Sequence, residues 1–197
     1  MRYKVFKQTI VAFITVIALV SLFKSINDYI GLSNNLTEKE REWIRQQETL
    51  IYAADRNAPP LRFLDQADGQ YKGILIDYIN SLSLEIGSNI ELHPMIWEEA
   101  LESLSKGETD ICDMFSSTER SKHYLFSKPI YNLRAVLAVS AHNRDIKSLY
   151  DLNGKVMAMQ KGDYASEYLS INYPEIKQHY VTDLEEALLL VALIIIV

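Results

Sequence analysis

Residues 74–95 run ILIDYINSLSLEIGSNIELHPM. Ile74, Leu75, Tyr78, Ile79, Leu82 and Ile86 recur at helical spacing, so Ile74 to Ile86 reads as a helix with one broad apolar face. Gly87 supplies its C-cap, and Ile90 to Met95 reads as a strand. The same alternation extends in both directions. Upstream, Thr37-Glu-Lys-Glu40 is a capping box that opens a helix, and Leu50 to Ala54 is a strand. Asp55 to Pro60 is a loop, because Pro59 and Pro60 forbid regular structure. Leu61 to Leu64 is short and extended, and Asp68-Gly69 is a turn. Downstream, Trp97 to Lys106 is a helix stopped by Gly107, and Asp110 to Phe115 is a short buried strand. Leu133 to Ser140 is a strong β run, Leu149 to Gly154 a turn and Val156 to Gln160 a strand. Gly162-Asp163 opens a helix to about Ile171, Lys177 to Val181 is a strand, and a last helix starts with Thr182 as N-cap and Glu185 at the capping-box position. Strands alternating with helices predict an α/β fold with mainly parallel sheets. Ligands of such sheets sit beyond the carboxyl ends of the strands, often at helix N-termini.

The chain has 197 residues, 48% of them hydrophobic and 23% charged, enough for one ordinary domain or two small lobes. Seven Gly and five Pro exclude a collagen-like or low-complexity chain. The net charge of −6 argues against a nucleic-acid partner, which needs a basic face. A single cysteine, Cys112, excludes an intramolecular disulfide framework and a Cys-based zinc site.

The two ends differ from the middle. Residues 1–24 carry Arg2, Lys4, Lys7 and Lys24 and no acid, so they hold four positive charges and the rest of the chain a net ten negative ones. Ile10 to Phe23 is almost wholly apolar. Residues 1–24 therefore read as a signal anchor or signal peptide. The anchor is preferred, since neither Ala18-Leu-Val nor Phe23-Lys-Ser resembles a cleavage site. The basic head would stay in the cytoplasm and the body would face the periplasm. At the other end, Ala187 to Val197 is unbroken apolar sequence, too short to span a bilayer. It reads as the end of an interrupted domain.

Few residues invite chemistry. Ser116-Ser117-Thr118-Glu119-Arg120 follows a buried strand, and Arg is the natural bidentate partner of a carboxylate. The plainer reading is a polar loop with a surface Arg. Gly162-Asp163 sits at a strand-to-helix junction, where free N–H groups favour an anion, although Asp163 is equally a good N-cap. Asp55 and Asn57 follow the first strand and could hold an ammonium or hydroxyl group. Phe63, Tyr71 and Trp97 are ligand walls or core. His93, His123, His142 and His179 have no metal-ligand spacing, and no phosphate loop or Gly-x-Ser-x-Gly elbow occurs. No catalytic residue, metal or cofactor is implied.

In order, six fragments resemble the family 3 extracytoplasmic solute-binding proteins, the amino-acid-binding branch of the periplasmic binding proteins. They are Asp55-Arg-Asn-Ala-Pro-Pro-Leu-Arg-Phe63; Asp68-Gly-Gln-Tyr-Lys-Gly73 with Asp77; Trp97 with Leu101, Leu104, Gly107 and Asp110; Thr118-Glu-Arg120 followed by Phe126-Ser-Lys-Pro-Ile-Tyr131; Asp151-Leu-Asn-Gly-Lys155; and Gly162 to Leu169. The resemblance covers about Ile51 to Val191. It implies a type 2 periplasmic binding protein-like fold, two lobes with mainly parallel sheets that close on a small solute. Residues 25–48 would be a linker helix. Residues 49–197 would be the binding domain, incomplete at the C-terminus, with lobe 1 at about 49–135 and a partial lobe 2 at about 136–197. By resemblance, Arg120 would grip a ligand carboxylate, assisted by Thr118. Asp55 and Asn57 would line the first lobe, and Gly162-Asp163 would offer backbone donors from the second. Many members carry Thr where this chain has Asp163, and the family's later Gly-x-x-Asp-Ala segment has no counterpart here.

The segment Leu36 to Ile44 is similar to the linker before such domains in membrane-bound sensors. The expected function is therefore an extracytoplasmic binding domain for a small carboxylate solute, an amino acid, as the input part of a membrane-bound signalling protein. Its partners would be that solute, the membrane and a missing cytoplasmic output domain. The alternatives are the substrate-binding component of an amino-acid ABC transporter, which would meet a permease, and a truncated remnant without function. A dehydratase-like relative is the weakest alternative.

Overall fold

The computed structural model describes residues 14–22, 24 and 36–193. They fall into two compact units, Met1–Glu48 with Ser81–Asn89, and Thr49–Asn80 with Ile90–Val197. In the first unit, residues 14–22 are helical, and residues 1–13, 23 and 25–35 lie outside the described residues. Part of the expected membrane segment and of the linker therefore lies outside them too. Among the described residues no helix is long and apolar enough to cross a membrane. Helix α1 (Glu38–Gln46) starts on the expected capping box: the Thr37 N–H donates to Glu40 Oε2 at 2.6 Å, and the Glu40 N–H donates back to Thr37 Oγ1 at 3.3 Å.

The second unit holds two parallel pairs. Strand β1 (Leu50–Asp55) pairs in parallel with β5 (Ile90–Met95), from Leu50 opposite Ile90 to Asp55 opposite Met95. Between them β2 (Asn57–Ala58), β3 (Arg62–Leu64) and β4 (Tyr71–Lys72) form a small antiparallel sheet. Helix α2 (Ile74–Ile86) then crosses over to β5. Helix α3 (Trp97–Lys106) comes after β5, ends at Gly107 in the left-handed region and packs on β1. Tyr52, Ala53, Ala54 and Ala100 are completely buried there, and the small side chains let helix and strand approach closely. Further on, β6 (Val156–Gln160) pairs in parallel with β7 (Lys177–Val181). Helix α4 (Tyr164–Asn172) joins them, and α5 (Leu184–Ala192) packs back on both. Ile146, Leu152, Met159, Leu169 and Ile176 form the core of this half. The α/β class and parallel pairing agree with the sequence reading.

Five local expectations change. Asn57–Ala58, inside the stretch read as a loop, is strand β2, because it precedes both prolines and pairs with β3. The buried stripe of α2 is Leu75, Ile76 and Ile79, whereas Ile74 is 62% exposed, so the apolar face is turned from the expected one. Residues 110–115 contribute only a parallel bridge, Ile111 beside Tyr52, rather than a strand. Leu133 to Ser140 forms no strand, because β propensity needs a hydrogen-bonded neighbour and the run pairs with none among the described residues. Helix α5 is capped by Asp183, whose side chain accepts the Glu186 N–H at 2.9 Å, not by Thr182. The Thr182 N–H instead donates to Glu186 Oε2 at 3.0 Å. Residues 194–197, most of the terminal Ile-Ile-Ile-Val, lie outside the described residues.

The start of α2 depends on Gly73. The Ile74 and Leu75 N–H groups donate to the Pro60 and Leu61 carbonyls at 3.2 and 2.9 Å, which satisfies two helix-start donors without a side-chain cap. To allow this, Gly73 adopts φ +131°, and a Cβ there would lie 2.3 Å from the Leu61 carbonyl oxygen. A Gly73→Ala variant is expected to lose about 2 kcal/mol or more of unfolding free energy. Gly69→Ala, at φ +69° with nothing within 4 Å of the new Cβ, should lose only about 1 kcal/mol. Urea unfolding followed by circular dichroism measures both, and equal midpoints for the two variants would refute the close-approach argument.

Candidate functional site

Polar side chains collect where the strands end. Asp55, the last residue of β1, is only 3% exposed. Its Oδ1 accepts the Asn57 N–H at 3.0 Å and its Oδ2 accepts Gln160 Nε2 at 2.8 Å. Gln160 ends β6, is itself buried, and also donates to the Thr182 carbonyl at 3.0 Å. The Tyr71 hydroxyl donates to the Asp55 carbonyl at 2.7 Å. Asp55 and Asn57 are thus brought together, with Asn57 acting through its backbone.

Arg120 lies in a 3-10 turn (Arg120–Lys122) beyond Ile111, with 8% of its surface exposed. All three guanidinium nitrogens have partners. Nη2 donates to the Gly162 carbonyl at 2.8 Å, Nε to Glu167 Oε2 at 3.3 Å, and Nη1 to the Phe115 carbonyl at 3.4 Å. The group also lies 5.9 Å from the Tyr164 ring centroid. The surface-Arg reading of the Ser116–Arg120 segment is therefore corrected: Arg120 is buried and closes on groups from α4 and the turn before it. Thr118 is exposed in the same turn, and the hydroxyl that accepts the Arg120 N–H, at 3.0 Å, belongs to Ser117.

Gly162 meets Arg120 through its carbonyl and holds φ +79°. Asp163 is the N-cap of α4, its Oδ1 accepting the Ala165 N–H at 3.1 Å. The carboxylate already occupies a donor that an anion would use. Lys161, just before, pairs with Glu98 of α3 at 2.5 Å on the exposed side.

Beside Asp55 lies a second buried cluster. Asp113 accepts Tyr52 Oη at 2.5 Å through Oδ1 and Arg62 Nη1 at 2.5 Å through Oδ2. The Arg62 guanidinium stands 5.6 Å from the Trp97 ring centroid. Burial opposes its charge, but Asp113 and the neighbouring tyrosines hold its pKa above the ordinary value. Trp97 is core, as its 5% exposure shows. Burial, then Asp113, drives the Tyr52 hydroxyl pKa upward, and the same two causes push the Cys112 thiol up to about 12. Among the described residues no group of three or more His, Cys, Asp or Glu is placed to hold a metal ion.

Gln160, Glu167, Arg62 and Asp113 are not legible as site residues in the sequence. Gln160 carries one signal, an uncharged polar side chain ending an apolar strand. Glu167 carries none, since a Glu in the first turn of a helix is ordinary dipole compensation.

Residues 50–188 match the model of the bacterial extracellular solute-binding proteins, family 3. The L-cystine-binding protein TcyA of Bacillus subtilis is 23% identical over 116 residues, 58% of this chain and 43% of that protein. The ABC transporter arginine-binding protein 1 of Escherichia coli is 26% identical over 132 residues, 66% of this chain and 53% of that protein. The chain thus spans about half the length of these curated relatives. The crystal structure of an ancestral amino acid-binding protein, a precursor of cyclohexadienyl dehydratase, superposes with a TM-score of 0.68 at 29% identity. That match covers 77% of this chain and 68% of the ancestral one.

The buried protonated groups carry a pH dependence. Tyr52 and Cys112 are held neutral in the folded chain, while the unfolded chain ionises them near their ordinary values of 10.0 and 9.0. Their contribution is fully present below pH 9 and is lost as pH rises toward the folded values, at about 1.4 kcal/mol per pH unit for each group. Urea unfolding between pH 7 and pH 11 should show stability falling above pH 9, with a shallower slope in Tyr52→Phe. Parallel profiles for the two proteins would contradict the assignment of Tyr52.

Proposed function

The chain belongs to the bacterial extracellular solute-binding proteins of family 3, and we propose that it binds a small carboxylate solute, an amino acid, between its two α/β halves. The observation that carries this reading is Arg120: a buried guanidinium from the first half, closed on the Gly162 carbonyl and the Glu167 carboxylate from the second. A carboxylate ligand finds there a charged donor of fixed geometry, shielded from water, where such a bond is strongest. Asp55 takes the ligand ammonium, held in place by the Asn57 N–H. Thr118 adds its hydroxyl from the turn that carries Arg120, and Gly162-Asp163 supplies the backbone of the opposite wall. Because these groups lie on both halves, a ligand that touches both favours the closed arrangement.

We assign the domain to the input side of a membrane-bound signalling protein. The capped helix α1 supports this, since it lies in the segment that resembles a sensor linker. In that reading residues 1–24 anchor the chain, the body lies in the periplasm, and an output domain acts inside the cell. The second reading, a receptor that delivers an amino acid to a permease, is supported by the named relatives, one of which is an ABC transporter protein. Those relatives are binding proteins rather than enzymes. Asp55, Asp113 and Glu167, the acids at the junction, are each engaged by a hydrogen bond, which fits binding better than dehydratase chemistry.

Isothermal titration of the full chain with the twenty common amino acids should find at least one ligand, and Arg120→Ala should weaken it by about 100-fold or more, the scale of losing a buried charge pair. Unchanged affinity in Arg120→Ala would sink the assignment. Mass spectrometry of the N-terminus in membrane and soluble fractions separates the two roles. An intact residue 1–24 segment in the membrane fraction is the sensor result, and a soluble chain starting near Ser25 is the transport result.

A further inference from the structure

We propose that Glu167 is an internal ligand of Arg120, a latch that ties the two halves together and that a solute carboxylate must displace. The inference rests on the binding role proposed for Arg120 and adds a competitor carried by the chain itself. Each half has its own parallel strand pair and its own apolar interior, around Tyr52 and Ala100 in the first and around Leu152 and Leu169 in the second. The chain passes between them through residues 125–139. That segment forms no helix or strand and makes no bond between backbone groups among the described residues. The bonds that join the halves come from polar side chains: Gln160 to Asp55, Lys161 to Glu98, and Arg120 to Gly162 and Glu167. Polar junctions of this kind part more readily than apolar ones.

Two ion pairs cross the junction, and they differ. Lys161 and Glu98 are about half exposed, so water screens them. The side chains of Arg120 and Glu167 are only 9% and 23% exposed, so their attraction is stronger. Nε of Arg120 donates to Glu167, Nη2 to the Gly162 carbonyl and Nη1 to the Phe115 carbonyl. Neither forked edge of the guanidinium therefore has two unengaged nitrogens, and a bidentate carboxylate must take the place of an acceptor already there. The two carbonyls are fixed in the backbone. Glu167 is the acceptor on a rotatable side chain, its bond is 3.3 Å long, and its partial exposure gives it a way out to water. Two carboxylates at one guanidinium also repel each other. An arriving carboxylate thus expels Glu167, and the affinity is reduced by the fraction of chains in which Glu167 holds Arg120.

The test makes two measurements on the full chain, in the wild type, Glu167→Ala, Glu98→Gln and Arg120→Ala. The first is the distance between spin labels, by pulsed electron paramagnetic resonance, with no amino acid added. The labels sit on Ser105→Cys in the first half and Ser170→Cys in the second, both exposed positions, in a Cys112→Ser background. Glu167→Ala should populate a longer distance than the wild type, and Glu98→Gln should match the wild type. The second is isothermal titration with the twenty common amino acids. Glu167→Ala should bind the best of them about tenfold more tightly than the wild type, and Glu98→Gln should stay within about threefold. Thermal unfolding by circular dichroism shows that the variants are folded. A Glu167→Ala distance equal to that of the wild type overturns the inference. So does an affinity that is unchanged or weaker in Glu167→Ala, the result a merely structural role would give. If binding to the wild type is lost in Arg120→Ala, the proposed function stands even then. If the distances respond as expected and none of the twenty binds either the wild type or Glu167→Ala, the latch between the halves stands and the proposed function falls.

Discussion

A parallel ladder delivers the carboxyl ends of its strands to one edge, and the polar chemistry of this chain depends on that constraint. Strand β1 ends in Asp55, opposite Met95 at the end of β5. Ile111 extends the same parallel direction beside Tyr52, and the chain then runs into the turn that carries Arg120. In the other half, β6 ends in Gln160 opposite Val181, and two residues later the backbone turns at Gly162 into α4. Each ladder stops where its backbone donors and acceptors run out. Side chains with hydrogen-bonding capacity take over at that point. The hydrogen bond from Gln160 to Asp55 joins the last residue of one parallel strand to the last residue of another.

The charges buried at this edge are each tied to a specific partner. Removing water from a carboxylate or guanidinium costs several kcal/mol, so such groups persist only where other polar atoms replace the lost hydration. Asp113 has the Tyr52 hydroxyl and Arg62, and Arg120 has two carbonyls and Glu167. The aromatic faces of Trp97 and Tyr164 under the two guanidinium groups complete the shielding. The two arginines nonetheless differ in kind. Arg62 and Asp113 are bonded within the first half. The partners of Arg120 on Gly162 and Glu167 come from the other half, so its bonds join the two halves.

The elements legible in the sequence are those set by short-range physics. The bounds of α2, β5, α3, β6 and β7 agree with the reading to the residue, because capping glycines, helical periodicity and β-branched runs act over a few positions. Leu133 to Ser140 has the same local character and forms no strand, since pairing is a property of two segments and one segment cannot encode it. The N-cap of α5 slips by one residue for a related reason: Thr182 and Asp183 both fit the local rule, and only Asp183 presents its side chain to the Glu186 N–H. The polar junction is legible where a motif concentrates it, at Asp55 and Arg120. It is opaque at Gln160 and Glu167, whose roles come from groups 105 and 47 residues away along the chain.

Under the proposed function, those two unread residues change what binding must accomplish. Gln160 offers Asp55 an amide N–H where a ligand would offer an ammonium, and Glu167 offers Arg120 a carboxylate where a ligand would offer its own. Together they give the junction stand-ins for the two charged groups of an amino acid. A ligand that supplies only those groups replaces bonds the chain already makes, and its net gain is small. The free energy that shifts the population toward the liganded state must come from the difference between its bonds and the internal ones. An ammonium is a stronger donor to Asp55 than the Gln160 amide, because it is charged. A carboxylate for Arg120 gains little over the Glu167 carboxylate that it would replace. In that reading the discrimination among ligands falls on the side chain, the one part of an amino acid for which Gln160 and Glu167 provide no internal substitute.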